Sequence, residues 1–376
     1  MRFPEFSGEW EKVKLGDSCT FFSGGTPPSS RKEYYCGDIP FIRSGELHSD
    51  STALSITKEA FASCSAKMVN NGDLLLALYG ATSGDISISR INGAINQAIL
   101  CIRPKHLNTY FIKSLWESHK KQILETYLQG GQGNLSSEII KNISFMFPNI
   151  EEQNKISELV RKIDKRIETQ SKIIEDLTTL RSAVCEKCST QIGDIYDLSA
   201  ILQEVDERST VVNQYQVLSS TVKGIFSQKE YFNKDIASED NKGYKVVRRG
   251  HVVLSPQNLW MGNINYNDRF DIGIVSPSYK VYLIREGFNP IFVASLLRTK
   301  KALYEYMLAS EQGASIVRRN LNVEAFMSIR FRIPEIRQQD SLSMAIASIN
   351  AKLNNEKSVL ELLTKQKFSL LENMFI

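Results

Sequence analysis

Two long stretches of this chain carry apolar residues at alternating intervals of three and four. After Pro148 they fall at Ile156, Val160, Ile163, Ile167, Ile174, Leu177 and Val184. After Pro334 they fall at Leu342, Ile346, Ile349, Leu353, Leu360, Leu363 and Leu370. The spacing holds for about five heptads without glycine or proline and predicts two coiled-coil helices. Each proline sits where a helix begins, a place that tolerates its missing N–H. About 38 residues make a rod of about 57 Å, longer than one small domain covers. Both stripes lapse at one shared place, Gln170 in the first and Glu356 in the second. A single polar residue in such a row fixes register and orientation at some cost in stability. Either an antiparallel or a parallel pairing could bring the two together, so connectivity decides. The second globular part must fit between Cys188 and Pro334, which favours antiparallel helices with the globular parts at opposite ends.

Ahead of each helix the pattern is mixed. Short β-like runs occur at Ile39 to Arg43, Leu74 to Tyr79, Ile86 to Ile91 and Ile95 to Arg103, with turn residues between them. Tyr110 to Tyr127 has helical spacing, and Asn289 to Ala309 is its counterpart. Ile143 to Phe147 and Ile329 to Ile333 read as final strands leading into the long helices. The expected class is α+β, without the regular βαβ alternation of a nucleotide-binding sheet. The expected division is 1–147, 148–188, 189–333 and 334–376: globular part, helix, globular part, helix.

That division rests on an internal repeat. Sliding the sequence by 186 residues lays Asn134–Cys188 on Asn320–Met374 without a gap, and 14 of the 55 positions are identical. The identities include Leu135/Leu321, Ile143/Ile329, Phe145/Phe331, Pro148/Pro334, Ile150/Ile336 and Gln153/Gln339. Upstream only glycine punctuation persists: Gly72-Asp73 resembles Gly250-His251, and Gly84-Asp85 resembles Gly262-Asn263. The chain is one plan used twice, a variable globular part followed by a better-matched tail.

Composition narrows the chemistry. At 376 residues there is room for two domains, and 42% hydrophobic with 23% charged residues suits a folded protein. Lys+Arg 46 against Asp+Glu 42 leaves +4, which excludes binding nucleic acid by bulk charge but not by a local basic groove. No apolar run approaches the roughly 20 residues of a membrane span, and the start lacks a signal-peptide core. The expected compartment is the cytoplasm. Cys185 and Cys188 have zinc-like spacing but no second pair, and three apart on a helix they would simply share a face. There is no GxxxxGK[ST], no strand–GxGxxG–helix unit and no methyltransferase Pro-Pro motif; Asn289-Pro290-Ile291-Phe292 reads as a helix start. The four histidines are scattered. Nothing here forms a catalytic or metal-binding constellation.

What remains is polar loop chemistry suited to DNA. Lys32, Arg43, Ser44, Tyr79, Thr82 and Ser83 lie at strand ends in the first part. Their rough counterparts are Ser219, Ser220, Lys223, Gln257, Asn258 and Trp260. Just before each final strand comes a polar loop, with Gln129, Gln132 and Asn134 in one and Gln312, Arg318 and Arg319 in the other. Gln and Asn pair bidentately with adenine, Arg with guanine, and Lys or Ser with phosphates.

The chain resembles the specificity subunits of type I restriction-modification enzymes. The resemblance lies in Trp10 to Asp17, Ser23-Gly24-Gly25-Thr26-Pro27, Ile39-Pro40-Phe41-Ile42, Gly72 to Leu75 and the twice-used tail, and it covers nearly the whole chain. The second half has no clear copy of the Trp or of Gly-Gly-Thr-Pro. The resemblance implies two target-recognition domains held apart by an antiparallel coiled coil, each reading half of a split DNA sequence, with helix length setting the spacer. It further implies two methyltransferase subunits and two ATP-driven restriction subunits as partners. S-adenosylmethionine, ATP and magnesium would then sit on those partners and no cofactor on this chain. A subunit of a related system without a separate motor, and a coiled-coil scaffold with protein-binding ends, are the alternative readings.

Overall fold

Each half of the chain closes on itself through the strand that precedes its long helix. In the computed structural model, which describes residues 2–128, 134–191, 193–228, 230, 240–312 and 319–375, Ser144–Phe147 pairs antiparallel with Glu11–Lys14. Arg330–Ile333 pairs in the same way with Asp194–Asp197. A single helical turn follows each opening strand, Leu15–Ser18 and Leu198–Ile201. Its first N–H bonds to the carbonyl of Ile143 in one half and of Ile329 in the other. The second half therefore has its own copy of the opening, carried by backbone pairing rather than by side chains.

Next comes a four-stranded antiparallel sheet whose order is the same in both halves. It runs Cys19–Ser23, Ile99–Pro104, Leu74–Ala77, Ile86–Ile88 in the first half. In the second it runs Leu202–Glu204, Lys280–Ile284, His251–Leu254, Ile264–Tyr266. Alternate residues point to opposite faces of a strand, and here both faces are covered. Leu74 and Leu76 join a core with Phe111, Leu115 and Trp116 of the helix Thr109–Tyr127, whereas Leu75 and Ala77 join Ile42, Val69 and Ile95 on the other side. Val252 and Leu254 likewise face Phe292 and Tyr306, while Val253 faces Val247 and Val275.

Behind this shared sheet the halves diverge. The first has a four-stranded layer ordered Ser55–Ile56, Ile39–Ile42, Gly93–Ile95, Lys67–Val69. The second has two separate pairs, Leu218–Thr221 with Gly224–Ser227 and Lys245–Arg248 with Ile272–Val275. The run expected at Ile95 to Arg103 is thus two strands in different sheets, with Asn96 to Ala98 turning between them. Gly24 lies against the first of these. A Cβ there would stand 1.7 Å from the Ile95 carbonyl oxygen, so the Gly-Gly stretch is a packing requirement. The helix expected over Asn289 to Ala309 is also broken, into Pro290–Leu296 and Lys300–Leu308. Thr299 caps the second piece by accepting from Ala302 N, and the Tyr306 hydroxyl donates to the Leu297 carbonyl at the break.

The long helices are Ile150–Gln191 and Ile336–Met374. The compact units do not follow the expected division into helices and globular parts. One unit is Met1–Ser171 with Val359–Ile376, and the other is Lys172–Ser358, so each takes part of both helices. Within the first unit, Lys367 Nζ lies 2.8 Å from Asp164 Oδ1, and Leu371, Met374 and Phe375 join Ile156 and Val160 in the core. Within the second, Arg181 Nη1 donates to Asn350 Oδ1 at 3.2 Å, and Val184 and Leu342 pack on one core. In both units the paired segments run antiparallel. Gln170 and Glu356 are buried in their stripes, and Lys352 pairs with Glu356 at 2.5 Å.

A polar latch fixes each long helix to its own unit. The Gln153 side chain accepts from Asn108 N at 3.0 Å and donates to the Pro148 carbonyl at 2.8 Å. Asn108 caps the helix Thr109–Tyr127, donates to Asn154 and accepts from the Ser157 hydroxyl. Gln339, Pro334, Asn289, Asp340 and Ser343 make the same set in the second unit, bond for bond. Burial of the Gln153 and Gln339 side chains makes their amide bonds expensive to lose.

Candidate nucleic-acid interface

In the second unit the central strand His251–Leu254 runs into a 3₁₀ turn, Pro256–Met261. Proline sets its first residues, and Gly262 ends it in the left-handed region at φ 89°, returning its N–H to the carbonyls of Asn258 and Leu259. Leu259 is fully buried and anchors the turn, so Gln257 is exposed and Asn258 and Trp260 are half-buried. Beside the turn, Ser310–Gln312 pairs with Arg319–Leu321. The Arg319 guanidinium stacks on Trp260, its carbon 4.6 Å from the ring centroid. Gln257, Asn258, Trp260 and Arg319 are therefore brought into one neighbourhood. Arg318 lies outside the described residues, as does the side chain of Gln312.

The first unit builds the same place from different residues. After Leu74–Ala77 the chain turns through Tyr79, Thr82 and Ser83, all half-buried, to Gly84, which is left-handed at φ 79°. Gly84 N bonds to the Ala77 carbonyl, the Ser83 hydroxyl donates to the Leu78 carbonyl at 3.1 Å, and Trp116 Nε1 donates to Gly84 O at 2.9 Å. Leu135 N also bonds to the Leu78 carbonyl, at 2.8 Å, which sets exposed Asn134 beside the turn. Gln129 and Gln132 lie outside the described residues.

The remaining candidates are more scattered. Arg43 follows the strand Ile39–Ile42, and Ser44 opens a short 3₁₀ turn. The Arg43 fork binds Glu46 at 3.1 and 3.2 Å. Burial pushes the Glu46 carboxyl up, but Arg43 and the N–H groups of Ala53 and Arg43 outweigh it and hold it below its usual range. Arg43 is thus an exposed cation already neutralised by a neighbour. Lys32 is exposed on the turn Lys32–Tyr35. Lys223 is exposed between Leu218–Thr221 and Gly224–Ser227, and Ser219 is half-buried.

Ser220 is a correction. Strand alternation turns it inward, where its hydroxyl donates to Asn263 Oδ1 and accepts from Asn265 Nδ2, both at 2.8 Å. Its carbonyl accepts from Asn263 and the Tyr279 hydroxyl. Ser220 fastens the strand pair to Ile264–Tyr266 and is not available to DNA. Sequence reasoning missed Arg298, which donates from Nη2 to the Val222 carbonyl at 2.9 Å and also binds Asn265 Oδ1. Among the described residues no group of His, Cys, Asp and Glu is arranged to hold a metal ion. Burial pushes the Cys19 thiol up to about 11 and Cys101 up to about 12, which keeps both protonated and unreactive.

Residues 7–179 match the family model described as the type I restriction modification DNA specificity domain. Across 98% of its length the chain is 21% identical to the MjaVIII specificity subunit of Methanocaldococcus jannaschii, covering 91% of that protein. It is 27% identical to the MjaIX specificity subunit of the same organism over 44% of this chain and 40% of that one. It is 26% identical to the EcoR124I/EcoR124II specificity subunit of Escherichia coli over 44% of this chain and 43% of that one. Among solved structures, the type I S subunit from M. genitalium aligns with TM-score 0.60 at 14% identity, over 100% of this chain and 99% of that one. A chain from a structure of type I complex assembly and conformational transition aligns with TM-score 0.55 at 13% identity, over 98% of both. At these identities the structural likeness speaks for the fold.

Proposed function

We propose that the chain is a type I restriction-modification specificity subunit, as its match to the specificity-domain model over residues 7–179 and its curated relatives support, and that it reads a bipartite DNA target, one half-site per compact unit, and catalyses no step itself. One observation carries the reading. In each unit the turn after the central strand and the polar segment before the final strand come together, with polar side chains at the junction and different residues in the two units. Positions that differ while their supporting backbone is shared are what two readers of two sequences require. Phosphate contacts would position each unit and base contacts would specify.

The partners follow from the family. Two methyltransferase subunits bring S-adenosylmethionine to adenines, and two restriction subunits bring ATP-driven translocation with magnesium, all in the cytoplasm. The long helices dock the methyltransferases and set the unread spacer.

The test uses the complete methyltransferase complex. Exchanging residues 1–147 for those of a relative changes one half of the methylated sequence and leaves the other intact. A change in both halves, or in neither, refutes modular reading. Inserting one heptad near Gln170 and another near Glu356 lengthens the helices by about 10 Å and widens the spacer with both half-sites unchanged. Binding whose logarithm falls with log salt separates DNA recognition from a protein scaffold.

A further inference from the structure

We propose that Arg319 reads a guanine in the second unit's half-site, with Trp260 as the plate that holds its guanidinium in place. The inference rests on the DNA-reading function above and names the residue and base that carry it in this unit. Both partners are positioned by hydrogen-bonded backbone. Arg319 pairs with Gln312 across a two-stranded ladder, and Asn322 N, just beyond it, bonds to the Ala309 carbonyl at 2.9 Å. Trp260 sits on a 3₁₀ turn closed by Gly262 and anchored by buried Leu259.

The way the guanidinium is held limits what it can recognise. One face lies on the indole, 4.6 Å from the centroid. Its Nε is buried and has no hydrogen-bond partner among the described residues. With one face stacked and Nε buried, the edge left for a ligand is the terminal one, two parallel N–H donors. In the major groove two adjacent acceptors occur on guanine, O6 and N7, whereas adenine presents an acceptor beside a donor. Stacking on an aromatic ring fixes the plane of the fork, and a lysine in its place has no plane to fix. A guanidinium stacked on one face, with its Nε unpaired among the described residues, is therefore a pre-oriented donor pair.

The experiment sequences the DNA methylated by the full complex carrying wild-type chain, Arg319→Gln, Arg319→Lys or Trp260→Phe. Arg319→Gln moves the preference at one position of one half-site from G·C toward A·T, because glutamine pairs with adenine. Arg319→Lys lowers discrimination at that position roughly ten-fold or more. Trp260→Phe keeps the sequence, since a ring remains. The other half-site is unchanged in all of them and serves as the control for folding and assembly. Unchanged sequence preference in both arginine variants overturns the proposal. So does uniform weakening across all sequences with a salt slope reduced by about one, which marks a phosphate contact. A wild-type complex that methylates no two-part sequence refutes the DNA-reading function itself, a result distinct from either.

Discussion

Asp164 and Lys367 meet at 2.8 Å in one unit, and the residues 186 positions away from them, Asn350 and Arg181, meet at 3.2 Å in the other. Both pairs join antiparallel segments of the same two helices. The first is part of a charged network: Lys113 lies 3.1 Å from Asp164 and 2.8 Å from Glu117, Lys367 lies 2.9 Å from Glu117, and the Tyr110 hydroxyl donates to Asp164. Glu117 Oε2 has no well-directed hydrogen bond, so its contact with Lys367 is ionic. The second pair joins a cation to a neutral amide, and burial, with a smaller push from the charge of Arg181, lowers the pKa of Arg298. A duplicated scaffold has kept the position of a clasp while changing its physics. Burial pushes the Asp164 carboxyl up, but Lys113, Lys367 and Tyr110 outweigh it and hold it below its usual range. Lys367 is pushed down by burial and raised further by Glu117 and Asp164. The first clasp titrates. The second sets a neutral amide in the place of its carboxylate.

The largest expected effect breaks the symmetry of cost. Lys367→Ala leaves Lys113 as the one ion-pair partner of Asp164 and Glu117 among the described residues and costs about 3 kcal/mol, whereas Arg181→Ala removes one hydrogen bond and costs about 1 kcal/mol. Denaturant midpoints of the two variants measure the difference, and equal losses would dissolve the contrast. The latches should behave in the opposite way. Gln153→Ala and Gln339→Ala each lose the same two buried bonds, so each costs about 2 kcal/mol and the pair should agree closely.

Acid gives the next effect. Because the Asp164 pKa is lowered by folding, its contribution is full above the ordinary carboxylate value near 3.9 and is lost as pH falls through the lower folded value. Lys367 is raised, so its contribution is full below about 10.4 and is lost as pH rises through the folded value. Asp164→Asn makes the first clasp like the second, costs about 1–2 kcal/mol near neutrality, and removes the acid-sensitive component. Hydrogen exchange of residues 359–375 against pH reads this directly, and an unchanged acid profile in the variant would count against it. The smallest effect is the converse. Asn350→Asp gives Arg181 a charged partner and adds less than about 1 kcal/mol, measured as a shift of the thermal midpoint that shrinks with salt.

Legibility in the sequence followed the physics of each element. Leu74–Ala77 was visible as a strand because two cores bury its two faces, and the long stripes were visible because burial repeats every three or four residues. Gln170 and Glu356 stood out as breaks in those stripes. Arg181 and Lys367 fall on the same rows and did not stand out, since basic residues usually mark a solvated face. The helix start at Asn289-Pro290 was legible from cap chemistry, but not the break at Thr299, which depends on a tyrosine reaching back to Leu297. Ser220 looked like a loop residue until its strand partner turned it inward. The Trp260–Arg319 stack depends on two distant segments meeting, and no local spacing announces that.

The make-up of the two units also sets an order of assembly. The second unit, Lys172–Ser358, is one unbroken stretch, whereas the first needs Met1–Ser171 and Val359–Ile376 together. A ribosome delivers every residue of the second unit before it releases Val359. The portion translated first is therefore the portion completed last, and until then Trp10 and Phe111 wait for Phe375, which packs against both rings. In a nascent chain the later-made reader matures first. A ribosome stalled just short of Val359 would leave that one whole while the earlier-made one still exposed part of its core.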